Sequence, residues 1–397
     1  MRFAPVLLVK RPAPVRILPA HGPQWSTSSS VYWLTGEGNV GEDAALCSAH
    51  LVTRLLTSRN LQLAGRKKTD FLPWPDPARR RKTPQPTNGR ALRENRKALL
   101  QLRADESVRD GFVRISDQLI QSALAHIARA GRNRAEDLHQ VRVTVKRLRA
   151  LLRLVRPVTA NGYFRRENRR LKRTADRLAR SRDTTVSRRT LAKLAANLPD
   201  QRDQKAFSRV LRRLVAHGPA PGRFTQEREA AMAEAADELR EADHSFQSIL
   251  FPAENWEAIE PGLRKTYRWA RHQMLQAIRR DTEAAFHEWR KHVKYLYYQL
   301  QTVQPVWSGR LGAMGKQLKR LEDNLGKNHD LAVLEKTLME LPERYGGRRA
   351  VKRVVSCLEQ QSRKLREQSQ ALGRKIFAEK PDRLLARLNK RWTAWRG

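Results

Sequence analysis

From Ala91 onward, hydrophobic positions recur at helical spacing. Val108, Phe112, Ile115 and Leu119 fall at i, i+4, i+7 and i+11, one face of a helix. Leu138, Val141, Val145, Leu148, Leu152 and Val155 draw a second stripe of the same kind. Alanine, leucine, arginine, glutamate and glutamine dominate this region, and all are good helix formers. Breaks are few: Gly131 before one helix, Pro157 and Gly162 after it, and the linker Gly218-Pro219-Ala220-Pro221-Gly222. No strand-like alternation of useful length interrupts the pattern, so it predicts an all-α fold of long antiparallel helices in bundles. Residues 1–90 read differently. Proline, glycine and serine are frequent, and the segment ends in the run Arg79-Arg80-Arg81-Lys82. It is expected to be a disordered basic extension, with at most one short helix near Ala44 to Leu56.

The pattern repeats. Around His139 the chain reads His-Gln-Val-Arg-Val-Thr-Val-Lys-Arg-Leu-Arg, and around His287 it reads His-Glu-Trp-Arg-Lys-His-Val-Lys-Tyr-Leu-Tyr. His, Arg at +3, Lys at +7 and Leu at +9 coincide. A second signature follows each: Leu178-Ala-Arg-Ser-Arg-Asp183 and Leu325-Gly-Lys-Asn-His-Asp330. The offsets are 287 − 139 = 148 and 330 − 183 = 147. Two ordered motifs at nearly one offset predict an internal duplication, with helical bundles over 91–245 and 246–397.

Charge changes the picture next. The 397 residues carry 80 Lys and Arg against 40 Asp and Glu, a formal net charge of +40. An excess of that size repels itself and points to a polyanionic partner. The arginines are also not scattered. On a helix His139, Arg142, Lys146, Arg149 and Arg153 share a narrow arc beside the apolar one. Arg166, Arg170, Arg173, Arg177 and Arg180 share a face of the next helix, with no acid at i+4 to neutralise them. The second copy offers His287, Arg290, Lys291 and Lys294, then Arg320 and Lys327, while Ala313, Gln317 and Asn324 stand where Arg166, Arg170 and Arg177 would be. Phosphate contacts are therefore expected to lean on the first half, since the guanidinium fork suits phosphate oxygens.

With both motifs in both copies, residues 92 to 395 resemble the CHAD domain, the conserved histidine α-helical domain. The resemblance implies two four-helix bundles related by pseudo-twofold symmetry, enclosing a basic cavity that binds inorganic polyphosphate. It implies His139, Arg142, Lys146 and Arg149 as ligands, with His287, Arg290, Lys291 and Lys294 opposite. The chain departs from the family pattern at Tyr295 and Tyr297, where basic residues are usual, and at Ala179, where glycine is usual.

Other chemistries find less support. Only Cys47 and Cys357 occur, neither a disulfide framework nor a zinc spacing. No apolar run approaches the ~20 residues that span a bilayer, and no lipidation motif or cleavable signal stands out, so a cytoplasmic protein, with polyphosphate granules as one setting, is expected. His139 has no histidine at i+3 or i+4, and His292 lies off the face of His287, so no metal ligand set is expected. A satisfied core histidine is the competing reading for both. Asp183 and Asp330 read as structural groups between helices, and no catalytic residue or cofactor is expected. Relatives of this domain often carry an N-terminal triphosphate-hydrolase tunnel. Residues 1–90 hold only Glu37, Glu42, Asp43, Asp70 and Asp76 as acids, too few for a metal-bound triphosphate. The rival partner is nucleic acid, with Trp289, Tyr295, Tyr297 and Tyr298 as stacking candidates, although Trp289 falls on the core-facing arc.

Overall fold

A computed structural model describes residues 98–129, 134–179, 183–196, 198, 200–217 and 221–397. The extension 1–90 and its short helix lie outside them. The described residues form eleven α-helices and no strand. Helix α1 (Val108–Ala128) starts where Ser107 caps it, its hydroxyl accepting from the Asp110 amide at 3.0 Å. It buries Val108, Phe112, Ile115 and Leu119, the stripe read from the sequence. Helix α2 (Arg134–Leu154) likewise buries Leu138, Val141, Val145, Leu148 and Leu152. Then come α3 (Asn161–Ala179), α4 (Asp183–Ala195), α5 (Gln201–Ala216) and α6 (Pro221–Gln247). Residues 248–255 lead to α7 (Trp256–Arg280), and a left-handed Asp281 (φ 46°) ends it. Helix α8 (Glu283–Thr302) is capped by Thr282, whose hydroxyl accepts from the Ala285 amide at 3.3 Å. The chain closes with α9 (Ser308–Glu340), α10 (Arg348–Ile376) and α11 (Pro381–Arg396).

Helix starts fall in register across the chain. Helix α7 begins 256 − 108 = 148 residues after α1, α8 begins 283 − 134 = 149 after α2, and α9 begins 308 − 161 = 147 after α3. Asp330 corrects one expectation: it sits inside the continuous α9, not between two helices. Its counterpart Asp183 opens α4.

Burial organises these helices around two apolar cores. The larger gathers side chains from α1, α2, α3 and α6 with α7, α8, the first part of α9 and α11. The smaller joins α4 and α5 to Leu331, Leu334 and Leu338 of α9 and to α10. Each core therefore draws on residues from both sides of position 246. Trp289 is fully buried among Phe286, Met274 and Gly373, as its arc predicts. Helix α2 packs on α8, the two helices that carry the histidine signatures. Buried Gln299 of α8 donates its side-chain amide to the Ala150 carbonyl of α2 at 3.0 Å. Nearby, α7 crosses the end of α2 so closely that a Cβ on Gly262 would lie 1.8 Å from the Leu154 carbonyl oxygen.

That approach carries a test. A methyl at Gly262 meets backbone, which cannot rotate away, so Gly262→Ala is expected to cost about 1–3 kcal/mol or more and to lower Tm by several degrees. Gly315, inside α9 with nothing within 4 Å of an added Cβ, should respond oppositely. Gly315→Ala is expected to gain up to about 1 kcal/mol from helix propensity. Thermal melts of both variants check the pair, and equal shifts would remove Gly262 as a packing constraint.

Candidate functional site

One cavity of about 450 Å³ opens where α2 and α8 face each other. Helix α2 contributes Arg142, Lys146 and Arg149, and α8 contributes His287, Arg290, Lys291 and Lys294. The spacing explains this: Arg142, Lys146 and Arg149 step along one face at i, i+4 and i+7, and Arg290 and Lys294 stand at the matching places of α8. Tyr295 and Tyr298 form part of the wall, with His329 and Asp330 from α9 and Ser187 from α4. Six lysine and arginine side chains thus meet one aspartate there.

How those cations are held differs between the two helices. Arg142 donates to the Leu178 carbonyl of α3 at 3.0 Å. Arg290 lies against Gly326 of α9, where a Cβ would meet its guanidinium at 3.3 Å. The glycine of the second Leu-Gly signature thereby leaves room for an arginine; at the matching place the first copy has Ala179. The Nε atoms of Arg149 and Arg290 are buried and find no hydrogen-bond partner among the described residues. Buried guanidinium donors are normally satisfied, and both of these atoms belong to side chains that contribute to the cavity wall.

Glu322 of α9 sets the balance on the α8 side. It accepts from Lys294 at 2.9 Å and Lys319 at 3.1 Å, and Arg290 lies 3.9 Å away. Burial alone would raise its pKa, but Lys294 and Lys319 overcome that and hold the carboxyl at about 2. The position matching Glu322 in the first copy is Ala175. Histidine 287 is half-buried, and its pKa is drawn below 6.5 by burial and then by His329 and Lys291. Lys291 also pairs with Glu288.

The structure does not bring every expected residue to this cavity. His139 is exposed on α2 and does not line it. Arg153 leans away, its guanidinium 4.1 Å from the Tyr295 ring centre and 5.8 Å from that of Phe164. Burial, partly offset by Tyr295, lowers its pKa to about 10 and leaves it cationic at neutral pH. The α3 arginines are also elsewhere. Arg166 and Arg170 clasp the fully buried Glu167 at 2.8 and 3.1 Å. Arg170 and Arg173 reach Glu238 of α6 at 3.5 and 3.2 Å, and Arg177 reaches Glu234 at 3.1 Å. No acid stands at i+4 on this stripe, as read from the sequence, but Glu167 of the same helix and the glutamates of α6 neutralise it. There Glu234, Glu238 and Glu241 form an acidic stripe at i, i+4 and i+7. The spacing of these glutamates is visible in the sequence, but nothing in the sequence pairs their face with α3. Arg320 and Lys327 are exposed on α9 and do not line the cavity. Arg180 lies outside the described residues.

His329 was missed as well. It stands 42 residues beyond His287, yet the two Nδ1 atoms lie 3.1 Å apart. His292, the histidine weighed instead, stacks on Trp269.

An all-helical protein that turns paired His-x-x-Arg-x-x-x-Lys helices toward one cavity falls into a recognisable class. The chain belongs to the CHAD-domain family: the family model matches residues 114–339, which is 226 of 397 residues. A search of the curated proteins finds no match.

Glu322 gives a pH test. A depressed carboxyl stabilises the fold above its unfolded pKa, and that contribution fades as pH falls through the folded value. A fall from 4.5 to about 2 corresponds to about 3 kcal/mol at 1.36 kcal/mol per pH unit. Glu322→Gln is therefore expected to melt well below the wild type at pH 7. The gap should close as pH drops from about 4.5 to about 2. A gap that does not change with pH would show that Glu322 acts through packing alone.

Proposed function

We propose that this protein binds inorganic polyphosphate in the cavity between α2 and α8, and that it carries out no reaction on it. The observation that carries the reading is the meeting of six lysine and arginine side chains, three from each signature helix, around one cavity with a single aspartate. A phosphate chain supplies acceptors at short, regular intervals and has no bulky groups to keep out. In this proposal the two halves, 91–245 and 246–397, are duplicated bundles in pseudo-twofold relation, and the cavity lies at their junction. The common offset of the helix starts supports that arrangement. Family membership supports the ligand, because CHAD domains are associated with polyphosphate. Among the described residues no helix is long and apolar enough to cross a membrane. Polyphosphate in the cytoplasm, including that in granules, is the setting this reading proposes.

Titration with polyphosphate separates cavity from surface. Arg149→Gln and Arg290→Gln each remove charge-assisted hydrogen bonds worth about 1.5–3 kcal/mol. Each should weaken binding about tenfold or more and flatten the salt dependence. Arg173→Gln, which breaks the contact with Glu238, should leave affinity within about threefold while lowering Tm modestly. Equal losses from all three variants would replace the cavity with a diffuse basic surface.

The nucleic-acid reading fails or survives in the same assay. Polyphosphate is expected to displace RNA at equal phosphate concentration, because Tyr295 and Tyr298 are built into the cavity wall and are not displayed for stacking. Displacement of polyphosphate by RNA would reverse the choice.

The protein is also proposed to lack hydrolase activity. Incubation with polyphosphate or ATP and magnesium should release no phosphate above background. Release abolished by Asp330→Asn would overturn that proposal.

A further inference from the structure

Beside the cations of the cavity stands a group of a different kind. Glu283 and His287 lie at i and i+4 on the first turns of α8, and His329 meets them from α9. His329 Nδ1 lies 3.1 Å from His287 Nδ1 and 2.8 Å from Glu283 Oε1. One donor atom from each of the three falls within 4.8 Å of the others, and none of the three residues is fully exposed. The ring centres are 4.4 Å apart.

Hydrogen bonding explains this cluster poorly. Neutral imidazole carries one N–H, and a single Nδ1 proton on His329 cannot serve both Glu283 and His287 well. A metal ion would satisfy all three atoms at once. Two nitrogens bound tetrahedrally at 2.0–2.1 Å stand about 3.3 Å apart, close to the observed 3.1 Å. The two nitrogens therefore already stand near the separation an ion would hold, and a Glu283 oxygen lies within 4.8 Å of both.

We propose that Glu283, His287 and His329 bind one divalent transition-metal ion of the zinc class. Two imidazoles and a carboxylate favour such an ion over magnesium or calcium, which prefer all-oxygen shells. Nearby cations oppose any metal, but the closest have carboxylates of their own: Lys291 pairs with Glu288, and Arg290 lies 3.9 Å from Glu322. Three protein ligands leave a coordination position open, and because His287 and His329 line the cavity, that position faces into it. The site is peculiar to the second half. Positions 283 − 148 and 329 − 147 hold Ala135 and Arg182, so the duplicated signature does not by itself produce it.

The test needs no polyphosphate, so its outcome is separate from that of the polyanion reading. The full chain is stripped with a chelator, then titrated with Co²⁺ and Zn²⁺ by calorimetry and visible absorption. One Co²⁺ per chain is expected, with the d–d bands of a four- or five-coordinate ion, and Zn²⁺ should displace it. His329→Ala and Glu283→Gln should each weaken binding about tenfold or more, whereas His139→Ala and His292→Ala should bind as the wild type does. Circular dichroism verifies that every variant compared is folded. Absence of saturable binding overturns the proposal. So does binding that survives both His329→Ala and Glu283→Gln, which would place the ion elsewhere.

Discussion

Guanidinium groups stacked at i and i+4 repel one another, and a helix built that way persists only if something offsets the repulsion. In this chain the position of the carboxylates decides what does. On α3 the offset is internal to the fold: Glu167 lies buried beneath Arg166 and Arg170, and the glutamates of α6 receive Arg170, Arg173 and Arg177. Those arginines bind α3 to α6. On α2 the cations turn the other way, toward the cavity and α8. Two arginine-rich helices that look alike in sequence thus do different work, and the difference lies in a third helix, α6, which begins 221 − 179 = 42 residues after α3 ends.

Placing α2 against α8 requires close packing around the cations. Gln299 ties the two helices through the Ala150 carbonyl, and Gly262 lets α7 settle on the end of α2. Gly326 then admits the Arg290 guanidinium against α9. Small residues at these points do for the cations what large apolar ones do for the core. They fix how closely the helices approach, and with it the spacing of the cations along the cavity wall. Preorganisation of this kind lowers the entropy that binding must otherwise overcome.

The helices were legible because burial imposes a 3.6-residue period, and α1 and α2 bury the residues that period selects. The duplication signal was legible as well, as two motifs at one offset, and the helix starts keep that offset. The partners across helices were not legible. Nothing near Arg173 in sequence announces Glu238, 65 residues away, and nothing near His287 announces His329. His139 shows the limit of arc arguments: angular position on a helix places it with Arg142, but it precedes the stretch of α2 that the cavity reaches, and it remains exposed. Asp330 was read as a boundary because its counterpart Asp183 lies near one; in the second half the helix runs straight through.

The two sides of the cavity are therefore unequal in a way that bears on how a polyanion would be held. With its carboxyl at about 2, Glu322 is ionised throughout the physiological range, so its hold on Lys294 does not relax with ordinary changes of pH. A phosphate chain reaching Lys294 or Arg290 must compete with that fixed carboxylate. The matching position on α3 is Ala175, which carries no charge. Because salt dependence counts the ions released when cations and phosphates pair, a cation already neutralised by Glu322 adds less to the slope than it would without that carboxylate. The α3 arginines, for which phosphate contacts were expected to lean on the first half, instead pair with Glu167 and with the glutamates of α6.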